Sequence, residues 1–187
     1  MREALAVHDA QKKSMFHLMR VLCYTFVGLV LFAGCLVGFF TYITRPPRDT
    51  EVIANFHAHR RAFEHLRDMI QTDRQVIGVN TLGVRTVGPD DAGPAHPEGR
   101  FPSARYKEYL AALKEAGGEA VVHHDDRIGV LIWGSGFAGD TVHLEVCWRE
   151  TEPASQVASI EEFHKTRKAG ETAFRRIEGN WYLWADW

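Results

Sequence analysis

The sequence predicts an α+β protein: a single transmembrane helix, then a domain whose mostly antiparallel sheet carries two main helices packed on one face. Three observations predict it. Residues 21–44 (VLCYTFVGLVLFAGCLVGFFTYIT) hold no charge between Arg20 and Arg45. At ~1.5 Å per residue such a helix is roughly 36 Å long, enough to cross a hydrocarbon core of about 30 Å with some tilt. Beyond it, apolar residues recur at helical spacing in two stretches and elsewhere alternate with polar ones in short runs bounded by turn residues. Strand runs that follow one another without intervening helices favour antiparallel pairing, and six or seven strands are expected.

The chain divides into a cytoplasmic tail at 1–20, a signal anchor at 21–44, a linker at 45–50 and a periplasmic domain at 51–187. Of its 187 residues, the first 45 hold five Lys and Arg against two Asp and Glu, a net +3. The remainder hold 17 against 22, a net −5, which gives no footprint for nucleic acid. Arg2, Lys12, Lys13 and Arg20 precede the apolar segment, so the positive-inside rule keeps the N-terminus in the cytoplasm and exports the domain. The partner of residues 21–44 is then the lipid bilayer, and the location is the bacterial inner membrane. The apolar run is too long for a cleaved signal peptide. Phe32-Ala33-Gly34-Cys35 is close to a lipobox, but Phe stands where Leu is usual and an apolar stretch follows, so an uncleaved anchor is preferred. Gly34 and Gly38 form G-x-x-x-G, a spacing that lets two membrane helices approach, although glycine is common in such helices. Cys23 and Cys35 lie in the anchor and Cys147 alone in the domain, so no internal disulfide is available there.

Pro46-Pro47 stiffen the linker, and Asp49 or Thr50 is expected to cap a helix running to Asp73, with Val52, Phe56, Phe63, Leu66, Met69 and Ile70 as its buried stripe. His57, Arg61 and His65 share another face, read as solvated. Strands are expected at 75–80 and 83–87, then an irregular loop at 88–102, GPDDAGPAHPEGRFP. Ser103 should cap a helix over 104–116, with Tyr106, Tyr109, Leu110 and Leu113 inward and Gly117-Gly118 ending it.

Strands at 120–124, 127–133 and 141–149 follow. Their first turn, His123-His124-Asp125-Asp126, sets imidazoles beside carboxylates. Consecutive strand residues point to opposite faces, so a polar hairpin tip is preferred over a metal site. The second turn, Gly134-Ser135-Gly136-Phe137-Ala138-Gly139, matches G-x-G-x-x-G, but a strand rather than a helix follows, which removes the dinucleotide reading. His143, Glu145 and Cys147 share a strand face, read as exposed or half-covered rather than as zinc ligands. Ser159 and Glu162 form a capping box for a short helix. Gly179-Asn180 joins a last hairpin, 173–178 with 181–187. Trp181, Leu183, Ala185 and Trp187 share one of its faces, Tyr182 and Trp184 the other. Packing is preferred there over stacking on cell-wall sugars.

The ending Arg176-Ile177-Glu178-Gly179-Asn180-Trp181-Tyr182-Leu183, after an exported α+β pattern, resembles small proteobacterial envelope proteins, membrane-anchored or lipoprotein-type, some of them similar to effector immunity proteins. The resemblance implies a membrane-tethered protein-binding module in the periplasm, an immunity or inhibitor protein against an envelope-acting toxin, and not an enzyme. The expected contacts with a protein partner are Asp90, Asp91, His96 and Arg100 in the long loop, His123, His124, Asp125 and Asp126 at the first tip, and Phe137 at the second. The overall layout is also similar to periplasmic scaffold subunits of secretion systems, which implies self-association as a homodimer through Gly34 and Gly38. A third reading, a metal-dependent envelope hydrolase, would use His143 and Glu145 or the 123–126 tip. No nucleophile and base stand paired in the sequence, and no catalytic, cofactor or metal residue is assigned.

Overall fold

The structure is a computed structural model, which describes residues 19, 24–36, 38–39, 45–87, 101–137, 140–166, 168 and 170–186. They belong to two compact units, Met1–Arg45 and Pro46–Trp187. In the first, helix α1 is described over 24–36, and all its side chains there are exposed, among them Phe26, Leu29, Val30 and Phe32. Among the described residues no helix is long and apolar enough to cross a membrane, while 21–23, 37 and 40–44 of the apolar segment lie outside them.

The second unit runs α2 (Asp49–Ala58), α3 (Arg60–Thr72), β1 (Val76–Asn80), β2 (Gly83–Thr86), α4 (Ser103–Ala116), β3 (Ala120–His123), β4 (Ile128–Phe137), β5 (Asp140–Trp148), α5 (Ile160–Thr166), β6 (Thr172–Glu178) and β7 (Trp181–Asp186). The strands form one open sheet in the order β2-β1-β3-β4-β5-β7-β6, and every neighbouring pair is antiparallel. This is the predicted α+β class with seven strands.

Alternation decides which face is which. Val121, Val130, Val146 and Leu183 lie in one cross-strand row. They share a single buried cluster with Phe56, Phe63, Leu66, Tyr109, Leu113 and Ile160 from α2–α5. Burying an aliphatic or aromatic side chain of this kind contributes about 1.5–3 kcal/mol, so this inner face holds most of the stability. Gly117 ends α4 at φ 68°, and Gly179 turns β6 into β7 at φ 51°, both left-handed conformations that disfavour side chains with a Cβ.

Two features depart from the sequence reading. The helix expected from Asp49 to Asp73 is two, separated at His59 (φ −119°, ψ 23°). There the His59 Nδ1 lies 3.1 Å from the Asn55 carbonyl and 2.9 Å from Asn55 Oδ1, while Asn55 Nδ2 donates to the Ala116 carbonyl at the end of α4. Side-chain bonds of this type compete with the helix ladder. Asp49, expected to cap its own helix, caps another. It is 1% exposed, and its Oδ2 accepts from the Ile160 amide at 2.8 Å, Ser159 Oγ at 3.1 Å and Arg175 Nη1 at 2.6 Å.

The β6 margin of the sheet is covered at Phe174. After β5 the chain returns alongside β6, where Phe174 donates its amide to Ser155 O at 3.0 Å and Val157 donates to Phe174 O at 2.8 Å.

Candidate functional site

The outer face of the sheet, turned away from the helices, carries a second cluster made of Cys147, Phe174, Tyr182 and Trp184. Alternation puts these residues there, since Trp181, Leu183 and Ala185 point inward. Among the described residues of this unit, two arginines lie over them. The Arg127 guanidinium lies 3.9 Å from the Trp184 ring centre, and that of Arg149 lies 4.8 Å from Phe174. Guanidinium–aromatic stacking contributes about 0.5–2 kcal/mol and shields the rings from water. Trp184 is 6% exposed and Tyr182 2%, so neither offers a flat surface for a sugar.

The same two arginines clamp the β3–β4 turn. Asp126 accepts from Arg149 Nη1 at 2.6 Å and from Arg127 Nη1 at 3.2 Å, and the His124 amide donates to Arg127 O at 2.8 Å. Arg127 Nε donates to Glu145 Oε2 at 3.4 Å, and His124 Nε2 lies 3.5 Å from Glu145 Oε1. Glu145 is 5% exposed and occupies the space over Gly129, where a Cβ would lie 2.8 Å from its Cδ. Two guanidinium groups thus balance two carboxylates, which is what allows a carboxylate to sit that deep. Glu145 and Cys147, expected on an exposed or half-covered face, are therefore buried, because the arginines and the turn close over them.

His123, His124, Asp125 and Asp126 are brought together, and Arg127 joins them. They form a shared wall of two open recesses. One, of about 410 Å³, lies at the strand ends with Gln71, Ile128, Trp148, Glu150 and Thr151. The other, of about 590 Å³, lies on the outer face with Ile77, Arg85 and Val122. Phe137 is at the other end of β4, roughly 30 Å along the strand, so the two predicted tips do not make one surface. Its side chain, and Asp90, Asp91, His96 and Arg100, lie outside the described residues. Gly34 is on α1 and Gly38 in the helical residues 38–39; an added Cβ would meet nothing within 4 Å at either.

The pair named for hydrolysis is split. His143 Nδ1 lies 3.0 Å from Asp186 Oδ1, which also accepts the His143 amide at 2.9 Å, while Glu145 is engaged by Arg127. Among the described residues no three His, Cys, Asp or Glu side chains group to hold a metal. Burial, reinforced by the Glu145 carboxylate, pushes the Cys147 thiol well above its ordinary range. Burial likewise raises the Tyr109 hydroxyl, which donates to Asp73 Oδ2 at 2.9 Å.

Both groups fold in their protonated forms, so their contribution is complete below the unfolded pKa and is lost as pH rises. Stability is expected to fall above about pH 9, by roughly 1.4 kcal/mol per pH unit for one group and about twice that once both ionise in the unfolded chain. Denaturant titrations between pH 7 and 11 check this; a flat midpoint across that range contradicts it. In a Cys23→Ser, Cys35→Ser background, Cys147 should also resist Ellman's reagent until the chain unfolds.

The sequence reading missed Arg127, Arg149 and Arg85. The first two sit at strand ends beside alternating aromatics, a signal visible only once the strands are paired. Compared with known proteins, the chain matches no family model, no curated protein and no solved structure.

Proposed function

We propose that the chain is a membrane-tethered binding module of the bacterial periplasm, an immunity or inhibitor protein that holds an envelope-acting toxin at its β3–β4 turn. The observation that carries this reading is the turn itself. It is an exposed polar tip, fixed by Arg127 and Arg149 and flanked on both sides by open recesses. A surface ordered before contact loses little conformational freedom when a partner docks. Support for the tether comes from α1, where apolar side chains are exposed all round, as on a helix immersed in acyl chains. Confinement to the membrane surface raises the effective concentration against a partner arriving there.

A photo-crosslinking residue placed at Asp125 in the full-length protein, in cells of its source, is expected to give one adduct of discrete mass with another protein. The same residue at Lys165 on α5 should give none. Absence of an adduct at 125, or the same adducts at both positions, overturns the reading. A scaffold subunit is the second reading, favoured by the G-x-x-x-G spacing of Gly34 and Gly38. It predicts instead a dimer-sized adduct from position 34.

A further inference from the structure

We propose that the outer-face recess is an oxyanion-binding site for a small molecule carrying a carboxylate or phosphate on an apolar body. Its donors come from two elements, β2 and the β3–β4 turn. Arg85 reaches back from β2 over Gly78, its Nε 3.5 Å from where a Cβ would stand, and it has no ion pair among the described residues. Arg127 enters from the turn, and its hydrogen bonds to Glu145 and Asp126 use Nε and Nη1, leaving Nη2 free to donate. The exposed imidazole of His123 lines the same recess, and Ile77 and Val122 supply an apolar wall.

The carboxylates nearby do not cancel this charge. Asp126 is taken up by Arg149 and Arg127, and Glu145 lies beneath Arg127 and His124. Asp125, exposed at the tip, is the one lining carboxylate with no ion pair among the described residues. An anion therefore meets one guanidinium with no ion pair among the described residues and one with a spare nitrogen, and a planar fork of donors suits two oxygens. The site stands whether or not a protein also docks at the turn.

The test is a titration of the full-length protein in neutral detergent micelles, followed by the amide resonances of residues 122–127. The probes are benzoate, inorganic phosphate and, as a charge-reversed control, benzylamine. Benzoate is expected to give saturable shifts at lower concentration than phosphate, because only benzoate uses the apolar wall; benzylamine should give none. Phosphate binding as tightly as benzoate would overturn the proposal, which requires an apolar body on the ligand. Arg85→Gln is expected to weaken benzoate at least about tenfold, the loss of a charge-assisted contact. Asp125→Asn should tighten it about threefold, a gain that damage to the fold does not produce. Linear, unsaturable shifts, an equal response to benzylamine, or an Arg85→Gln protein that binds like the parent overturns the proposal.

Discussion

Replacing Asp49 by alanine is expected to cost about 3 kcal/mol of folding stability and to lower the thermal midpoint by roughly 10 °C. The carboxylate is buried, and three donors from α5 and β6 converge on its Oδ2. Removing it strips the first turn of α5 of its cap and leaves Arg175 beside an apolar gap. Breaking a buried ion pair typically costs 3–5 kcal/mol, and the lower end applies because the Arg175 side chain keeps 27% of its exposure and regains some hydration. Asp49→Asn preserves shape and two neutral hydrogen bonds, so its loss should be about half as large. Thermal unfolding of the full-length protein, followed by circular dichroism, checks both; a shift under about 2 °C for alanine would show that the clasp is not structural.

Trp181→Ala is expected to cost about 3–5 kcal/mol, the usual range for deleting a buried ring. Trp181 sits on β7 with its ring centre 5.3 Å from Phe56 and 6.3 Å from Phe63, and Arg67 lies 5.9 Å above it. It is thus where α2, α3 and the sheet meet, and no single neighbour can fill the void. Trp181→Phe should recover more than half of the loss, because the two phenylalanines keep an aromatic to pack on. The urea midpoint, with an unchanged slope, is the measurement. Equal losses for the two substitutions would mean that the ring's size is not what the core requires.

The sheet was legible because its strands are short and strictly patterned. In β7, Trp181, Leu183 and Ala185 against Tyr182 and Trp184 announce two faces, and Gly179-Asn180 announces the turn. The break at His59 was passed over, although the apolar stripe skips from Phe56 to Phe63 with His59 and Arg60 in the missing turn, because a seven-residue step keeps Phe63 on the same helix face. Its cause includes a bond from Asn55 to Ala116, 61 residues away. Asp49 misled for the same reason: a cap is read from the next three residues, but its partners lie 110 to 126 residues off. At the site, the polar tip at 123–126 was readable as a hairpin turn. Its clamp was not, because Asp126 meets Arg149 across 23 residues and Arg127 meets Glu145 across 18. Which charges end up balanced is decided by register, and register is not written locally.

The segment lying along β6 has a consequence for how copies of this domain can meet. An open sheet ordinarily presents unpaired amides and carbonyls on both flanks, and chains that join flank to flank can then extend without limit. Here Phe174, within the β6 flank, already has its amide and carbonyl taken by Ser155 and Val157 of the same chain. A second copy could therefore not pair along the whole of β6 without first displacing Ser155 and Val157.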